Sequence, residues 1–355
     1  MFLLKKILNA HTSALSCRGV LLAYGICIAL LVHRADASDY VPRHEGARVL
    51  FNDQLTIEVM DHAAENRYNN GTRFLPFMVL RAVRDGRDYF YSPVEHDPEY
   101  HAAGLAFEFD GTNPLGAPGY YEARYGEADW EDKLGDGFLK IGVGALRRDR
   151  PRYHFYWTKE IIHLAESKVE WGTDGAVFTQ TCEPIDGFAY HLQVELSLVG
   201  DTIELHYRLT NTGEKPIVTE AYVHTFFRFN DEPVGPNYSV DFPYPIDPFK
   251  FKVSDLIGED SVTFKYLLTE PTTVKLRVPE EGIDPNVLTA KHANGQFVEA
   301  RVSGQPVGRV SVHASLDYIS PEQFILLLIE PGKSREWSTS YRLGMHDEMS
   351  AAGLK

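Results

Sequence analysis

The chain has 355 residues, 44% of them hydrophobic and 24% charged, enough apolar material for a large core and far from the composition of a disordered chain. Its formal net charge is -15, which argues against nucleic acid or an anionic membrane surface as partner, since both attract basic surfaces. The 19 Tyr and 20 Phe suit both β-sheets and sugar stacking and do not decide between them.

Residues 1–37 read as a targeting segment: Lys5, Lys6 and Arg18 precede an apolar run from Gly19 to Val32, and Ala35-Asp36-Ala37 supplies small residues for cleavage before Ser38. The apolar run is short for a full membrane span, which favours cleavage and export over an uncleaved N-terminal anchor. The segment holds four basic residues and one acidic residue, so its removal takes the net charge from -15 to -18. Cys17 and Cys27 lie in it, leaving Cys182 alone in the mature chain, where no intramolecular disulfide is possible.

Two short β-like runs between Ala47 and Met60 flank Asn52-Asp53, a hairpin signal. Asp61-His62-Ala63-Ala64-Glu65 matches no metalloprotease spacing, and no other spacing resembles a metal site. A polar loop then leads through Gly71-Thr72-Arg73-Phe74 into a strand, and Phe74–Val83 pairs with Arg87–Tyr91 across Asp85-Gly86. Arg73, where loop meets strand, is placed to fork onto a carboxylate or sugar hydroxyls, or else is a solvated surface arginine. Asn70-Gly71-Thr72 and Asn237-Tyr238-Ser239 fit the glycosylation sequon.

Residues 92–137 are loop-rich, with Ala106–Phe109 a short strand inside; a loop of that length is usually functional or a lid. The glycines of Phe138-Leu139-Lys140-Ile141-Gly142-Val143-Gly144 suggest close backbone approach in a strand or bulge, and Lys140 is a candidate site residue. From Tyr153 onward the pattern is nearly all β. Lys168–Trp171 and Ala176–Thr181 join through Thr173-Asp174-Gly175. Alternating Leu192–Leu198 turns at Gly200-Asp201 into alternating Ile203–Leu209. Further strands are expected near 263–268, 274–278, 307–312, 324–329 and 335–342, with Pro331-Gly332 as a turn. Many strands without helices indicate a single β-sandwich or barrel domain over 38–355.

One stretch carries chemistry. Tyr222 to Phe229 is a tight apolar run in which His224 is the polar intruder, and a histidine between Val223 and two phenylalanines is either a satisfied core residue or a general acid on a rigid strand. Asn211-Thr212-Gly213, a short gap, and Tyr-x-His-x-Phe-Phe resemble the galactose mutarotase-like (aldose 1-epimerase) superfamily, as do Gly-Thr-Arg-Phe at 71–74, Phe-Leu-Lys-Ile-Gly-Val-Gly at 138–144, and Ser320-Pro321-Glu322-Gln323-Phe324 with Pro331-Gly332 and Tyr341. The resemblance implies a β-supersandwich, His224 as the acid that protonates the ring oxygen, Glu322 as the base, and Arg73 as a sugar contact. The family's second active-site histidine, within a His-Gly-Gly stretch, has no match; Glu108 or His101 lies in that region.

The implied reaction is interconversion of sugar anomers by ring opening. It needs two groups in opposite protonation states, which we expect on opposite sides of the sugar, with a small sugar or glycan end as partner and no metal or organic cofactor. Two other readings stay open: a carbohydrate-binding domain that kept the fold and lost the chemistry, and a lyase or hydrolase acting on acidic polysaccharide, against which the negative charge weighs.

Overall fold

The computed structural model describes residues 40–346 apart from 66, 69–70, 98–102, 111–132, 152, 154–156 and 280–281. The leader, His101, the Asn70 sequon and most of the expected 92–137 loop therefore lie outside the described residues. Every named element among the described residues is a strand, and every pairing is antiparallel.

Alternating sequences become long paired strands, and their spatial order sets up two large sheets. The first runs β1 (Ala47–Phe51), β2 (Thr56–Met60), β3 (Val79–Arg84), β5 (Leu105–Asp110), β13 (Ile217–Thr225), β22 (Ile319–Ile329), β21 (Val307–Ala314), β18 (Thr272–Arg277) and β15 (Asp247–Lys250), with β4 (Arg87–Asp88) on β3. The second runs β16 (Asp255–Ile257), β17 (Ser261–Phe264), β14 (Tyr238–Asp241), β19 (Asn286–His292), β20 (Gln296–Ser303), β23 (Ser334–Met345), β12 (Thr202–Asn211), β11 (Phe188–Val199), β10 (Gly175–Ile185) and β9 (Glu166–Trp171). A small third sheet holds β6 (Gly137–Lys140), β7 (Gly144–Arg147) and β8 (Ile161–Leu164).

One core lies between the two large sheets. Leu192, Val194, Leu196, Ile203, Leu205 and Leu209 from β11 and β12 share it with Phe107, Val223, Ile325 and Leu327 from β5, β13 and β22. Each such side chain, fully withdrawn from water, contributes about 1.5–3 kcal/mol. Tyr207 stacks on Trp337 at 4.9 Å and meets Phe107 edge-on, filling the space between the layers.

The expected turns at Asn52-Asp53, Asp85-Gly86, Thr173-Asp174-Gly175 and Gly200-Asp201 all lie between paired strands. The second joins Val79–Arg84 to Arg87–Asp88, shorter than the expected Phe74–Val83 and Arg87–Tyr91. Asp85 and Gly86 take positive φ of 51° and 71°, the backbone that a two-residue hairpin of the right twist requires. The 138–144 stretch is more than a bulge. It is two strands around a turn at Ile141-Gly142-Val143, with Gly142 at φ 90°. At Gly144 a side chain is excluded, because a Cβ there would lie 2.4 Å from the His163 carbonyl oxygen. In the Asn237 sequon the half-buried asparagine has its amide nitrogen 2.7 Å from His292 Nε2, and Tyr238 is buried.

Pro321 is unexpected in an interior strand, since proline cannot donate to a ladder. The paired register of β22 with β13 runs from Ile217↔Ile329 to Ala221↔Ile325 and stops short of it. Beyond that point side chains bridge the two strands. The Thr225 hydroxyl donates to the Pro321 carbonyl at 2.8 Å, and the Thr225 N–H donates to the Ser320 hydroxyl at 3.2 Å.

Candidate functional site

The period of two in β13 sends Thr219, Ala221, Val223 and Thr225 one way and Glu220, Tyr222, His224 and Phe226 the other. His224 is thus on the face turned away from the inter-sheet core. Register fixes its neighbours on that face: Tyr222 pairs with Glu108 and His224 with Ala106 on β5. Glu322 faces the same way from β22, and Ser311 of β21 pairs with Glu322.

The structure brings together all five residues singled out by sequence. The Glu108 carboxylate is fully buried and held by charge. Arg73 Nε donates to its Oε2 at 2.9 Å, Tyr222 donates to the same oxygen at 2.7 Å, and Lys140 Nζ donates to Oε1 at 3.1 Å. Lys140 also donates to the Phe109 carbonyl at 2.5 Å. His224 Nε2 lies 3.1 Å from Glu108 Oε2 and 2.9 Å from Arg73 Nη2. On the other side of the ring, Nδ1 meets Glu322 Oε1 at 2.5 Å. Phe74 meets the imidazole edge-on, and Phe226 stacks beside it.

This geometry corrects one expectation. The acid and base are not separated by a sugar-sized gap but touch directly, side chain to side chain, beyond the point where the paired register of β13 and β22 ends. Lys140 is not a free cation for ligand either, since it is committed to Glu108 and Phe109.

Distant segments hold the groups in place. Leu75 N–H donates to the Phe107 carbonyl, and Lys159 N–H donates to Thr72 Oγ1, which pins the loop carrying Arg73. The Gly142 N–H donates to the Tyr190 hydroxyl, anchoring the β6–β7 hairpin that delivers Lys140.

Electrostatics follow from burial set against charge. Burial alone would raise the Glu108 carboxyl; Arg73, Lys140 and His224 outweigh it and hold it well below its ordinary value. Burial disfavours imidazolium at His224, yet Glu322 and the hydrogen bonds to both carboxylates leave it raised. Glu322 is correspondingly lowered, burial being outweighed mainly by His224. Lys159, pressed by burial and then by the like charge of Lys140, falls to about 7.

Several neighbours were not singled out by sequence. Tyr222 and Phe226 could have been, because they sit two residues either side of His224 and share its face. His313 on β21 hydrogen-bonds Thr273 Oγ1 at 2.9 Å and is lowered, chiefly by burial. Arg309 lies 3.4 Å over the Phe324 ring and forks onto Glu220 at 3.2 and 2.8 Å. Neither has a local signal, since both depend on which strand lies beside β22. Asp61 and His62 are committed elsewhere, to Arg48 and to the Ser167 carbonyl. Among the described residues no group of three or more His, Cys, Asp or Glu is placed to hold a metal ion.

No protein-family model matches the chain, and no curated protein matches it in sequence. Solved structures do match. A putative aldose 1-epimerase from Escherichia coli K12 is 12% identical and aligns over 84% of this chain and 99% of that one, with a TM-score of 0.52. An aldose epimerase homologue from C. elegans is 11% identical over 84% and 99%, with a TM-score of 0.52. A galactose mutarotase related enzyme from Lactobacillus acidophilus is 11% identical over 84% and 98%, with a TM-score of 0.50. The fold is galactose mutarotase-like. Within that fold His224, Glu322 and Arg73 occupy three neighbouring segments on one sheet face, although their identities come from segments up to 249 positions apart, as 322 minus 73 gives.

Proposed function

We propose that the chain is an exported aldose 1-epimerase-like protein that interconverts sugar anomers by acid/base ring opening. The observation that carries this reading is the position of His224, an imidazole bridging two buried carboxylates, Glu108 at Nε2 and Glu322 at Nδ1. The direct contact suits the reaction, because the anomeric hydroxyl and the ring oxygen are bonded to the same carbon. Groups serving both oxygens can therefore work side by side.

The Nδ1–H is held by Glu322. Nε2 accepts from Arg73 when bare and donates to Glu108 when protonated, so either state has a partner. Glu322 takes the proton of the anomeric hydroxyl while His224 Nε2 delivers one to the ring oxygen. The ring bond opens, the aldehyde rotates, and closure on the other face reverses both transfers. Arg73 orients hydroxyls.

Polarimetry or exchange NMR on purified protein across a panel of aldoses tests this. His224→Ala and Glu322→Gln are each expected to slow mutarotation by about a hundredfold or more. Absence of acceleration with every sugar, or full activity in His224→Ala, overturns it.

The same contact favours a second reading, a sugar-binding domain without chemistry, since the acid and base already satisfy one another. Glycan binding that survives both substitutions, with no turnover, supports that reading instead.

A further inference from the structure

A second histidine–carboxylate pair, His44 with Glu58, is unused by the proposed chemistry. Glu58 on β2 is fully buried. Its Oε1 accepts the Arg43 N–H at 3.0 Å and Arg81 Nη1 at 3.3 Å. Its Oε2 accepts the backbone N–H of His44 at 3.0 Å and stands 2.8 Å from His44 Nδ1. A carboxylate so supplied with donors is ionised and accepts only, so Nδ1 must carry the proton.

In the neutral ring Nε2 is then a base, and the Ser92 hydroxyl lies 3.2 Å from it. The Pro93 carbonyl oxygen is 3.3 Å from the same nitrogen, an acceptor for the N–H that forms once the ring takes a second proton. Serine, histidine and carboxylate thus stand in hydrogen-bonded sequence, the arrangement that activates a serine hydroxyl as a nucleophile.

The cluster borders open space. His44 lines a hollow of about 160 Å3 together with Met60, Tyr68, Leu80, Val94 and His96 and the charged Glu45, Asp61 and Arg67. Ser92 is buried behind that wall and reaches the hollow through His44. Tyr68 stacks on His96 at 4.0 Å and meets His44 edge-on at 5.8 Å. The lining is mixed, and Met60, Tyr68, Leu80 and Val94 give it an apolar side that suits a short acyl group.

We propose that Ser92, His44 and Glu58 form a second, acyl-transfer site that cleaves short-chain carboxylic esters. The Ser92 oxygen adds to the ester carbonyl while its proton passes to His44 Nε2. The tetrahedral adduct expels the alcohol, which takes that proton, and leaves the acyl group on Ser92. Water, deprotonated by His44, then releases the carboxylic acid and regenerates the hydroxyl. Glu58 keeps the ring oriented and balances the imidazolium.

The test uses the full chain with a fluorophosphonate probe, read by intact mass and peptide mapping, and with p-nitrophenyl acetate hydrolysis. One adduct per chain at Ser92, and hydrolysis reduced about a hundredfold or more in Ser92→Ala, are expected. No adduct, an adduct elsewhere, or unchanged hydrolysis in Ser92→Ala overturns the proposal. Should Ser92→Ala fail to fold, Ser92→Cys with iodoacetamide decides the matter. Alkylation of residue 92 at neutral pH faster than that of a free cysteine peptide supports a base at His44, and an equal or slower rate overturns it.

Discussion

Two buried glutamates in one sheet make different use of a histidine. Glu108 is surrounded by formal charge from distant segments: Arg73 from a loop, Lys140 from the third sheet, and His224 from the neighbouring strand. Glu58 leans on backbone, taking the N–H groups of residues 43 and 44, and shares its arginine with Asp88. The histidines differ accordingly. His224 lies between two carboxylates and is held toward its charged form, whereas His44 has a carboxylate on one nitrogen and a hydroxyl and a carbonyl on the other. Under the two proposals the first arrangement supplies a proton to a ligand, and the second prepares a nitrogen to receive one from a neighbour.

The largest expected effect follows from what each glutamate leaves behind. Glu108→Ala strands the fully buried Lys140 ammonium and the largely buried Arg73 guanidinium without their carboxylate. Breaking a buried ion pair on one side costs about 3–5 kcal/mol. Glu58→Ala is expected to cost less, because Arg81 keeps its two bonds to Asp88 at 2.5 and 3.0 Å. Urea unfolding of the two variants measures both. Equal losses, or the reverse order, would show that backbone donors matter more at these sites than buried cations.

A smaller effect is expected from Tyr222→Phe. The substitution removes only the hydroxyl that donates to Glu108 Oε2 and leaves the ring stacked on Phe324 at 4.1 Å. A hydrogen bond to a charged acceptor is worth about 1.5–3 kcal/mol; with Arg73 and Lys140 still in place, the lower end applies. An unchanged unfolding midpoint would mean that the cations alone satisfy Glu108. This variant probes the Tyr222 hydroxyl's share in holding Glu108 in the His224 cluster.

Those differences also explain what could be read from the sequence. The long strands were legible because alternation in 192–209 is strict and the turns between them are Gly-Asp and Thr-Asp-Gly. His224 stood out as a polar residue in an apolar run, and its neighbours at 222 and 226 follow from the same period. By contrast, β14, β16, β19 and β20 have short or mixed patterns, and their strand state comes from pairing. The contact between His224 and Glu322 was hidden for a related reason. They are 98 positions apart in sequence (322 minus 224), and only the pairing of β13 with β22, over 217–221 and 325–329, brings their strands side by side. Pro321 also disguised its strand by suggesting a loop. The Ser92–His44–Glu58 cluster shows no motif at all, since its three members come from a loop, a strand and a second loop.

The last and smallest effect separates one carboxylate from two. His224 sits above its ordinary value of 6.5 because Glu322, with the hydrogen bonds to both carboxylates, overcomes the cost of burial. The stability this interaction contributes is fully present below the unfolded histidine value and is lost as pH rises through the elevated folded one. Glu322 works from the other end. Its folded value is below 4.5, so its contribution is present above 4.5 and is lost as pH falls through the depressed value. Thermal melts of the wild type should therefore decline on the alkaline side as His224 gives up its proton. Glu322→Gln leaves His224 with Glu108 as its single carboxylate, the number His44 has, and the alkaline decline should move to lower pH. Following the His224 ring protons by NMR across the same range assigns the step to this residue. An unmoved midpoint in Glu322→Gln would mean that Glu108 alone holds the proton and that the contact with Glu322 is structural.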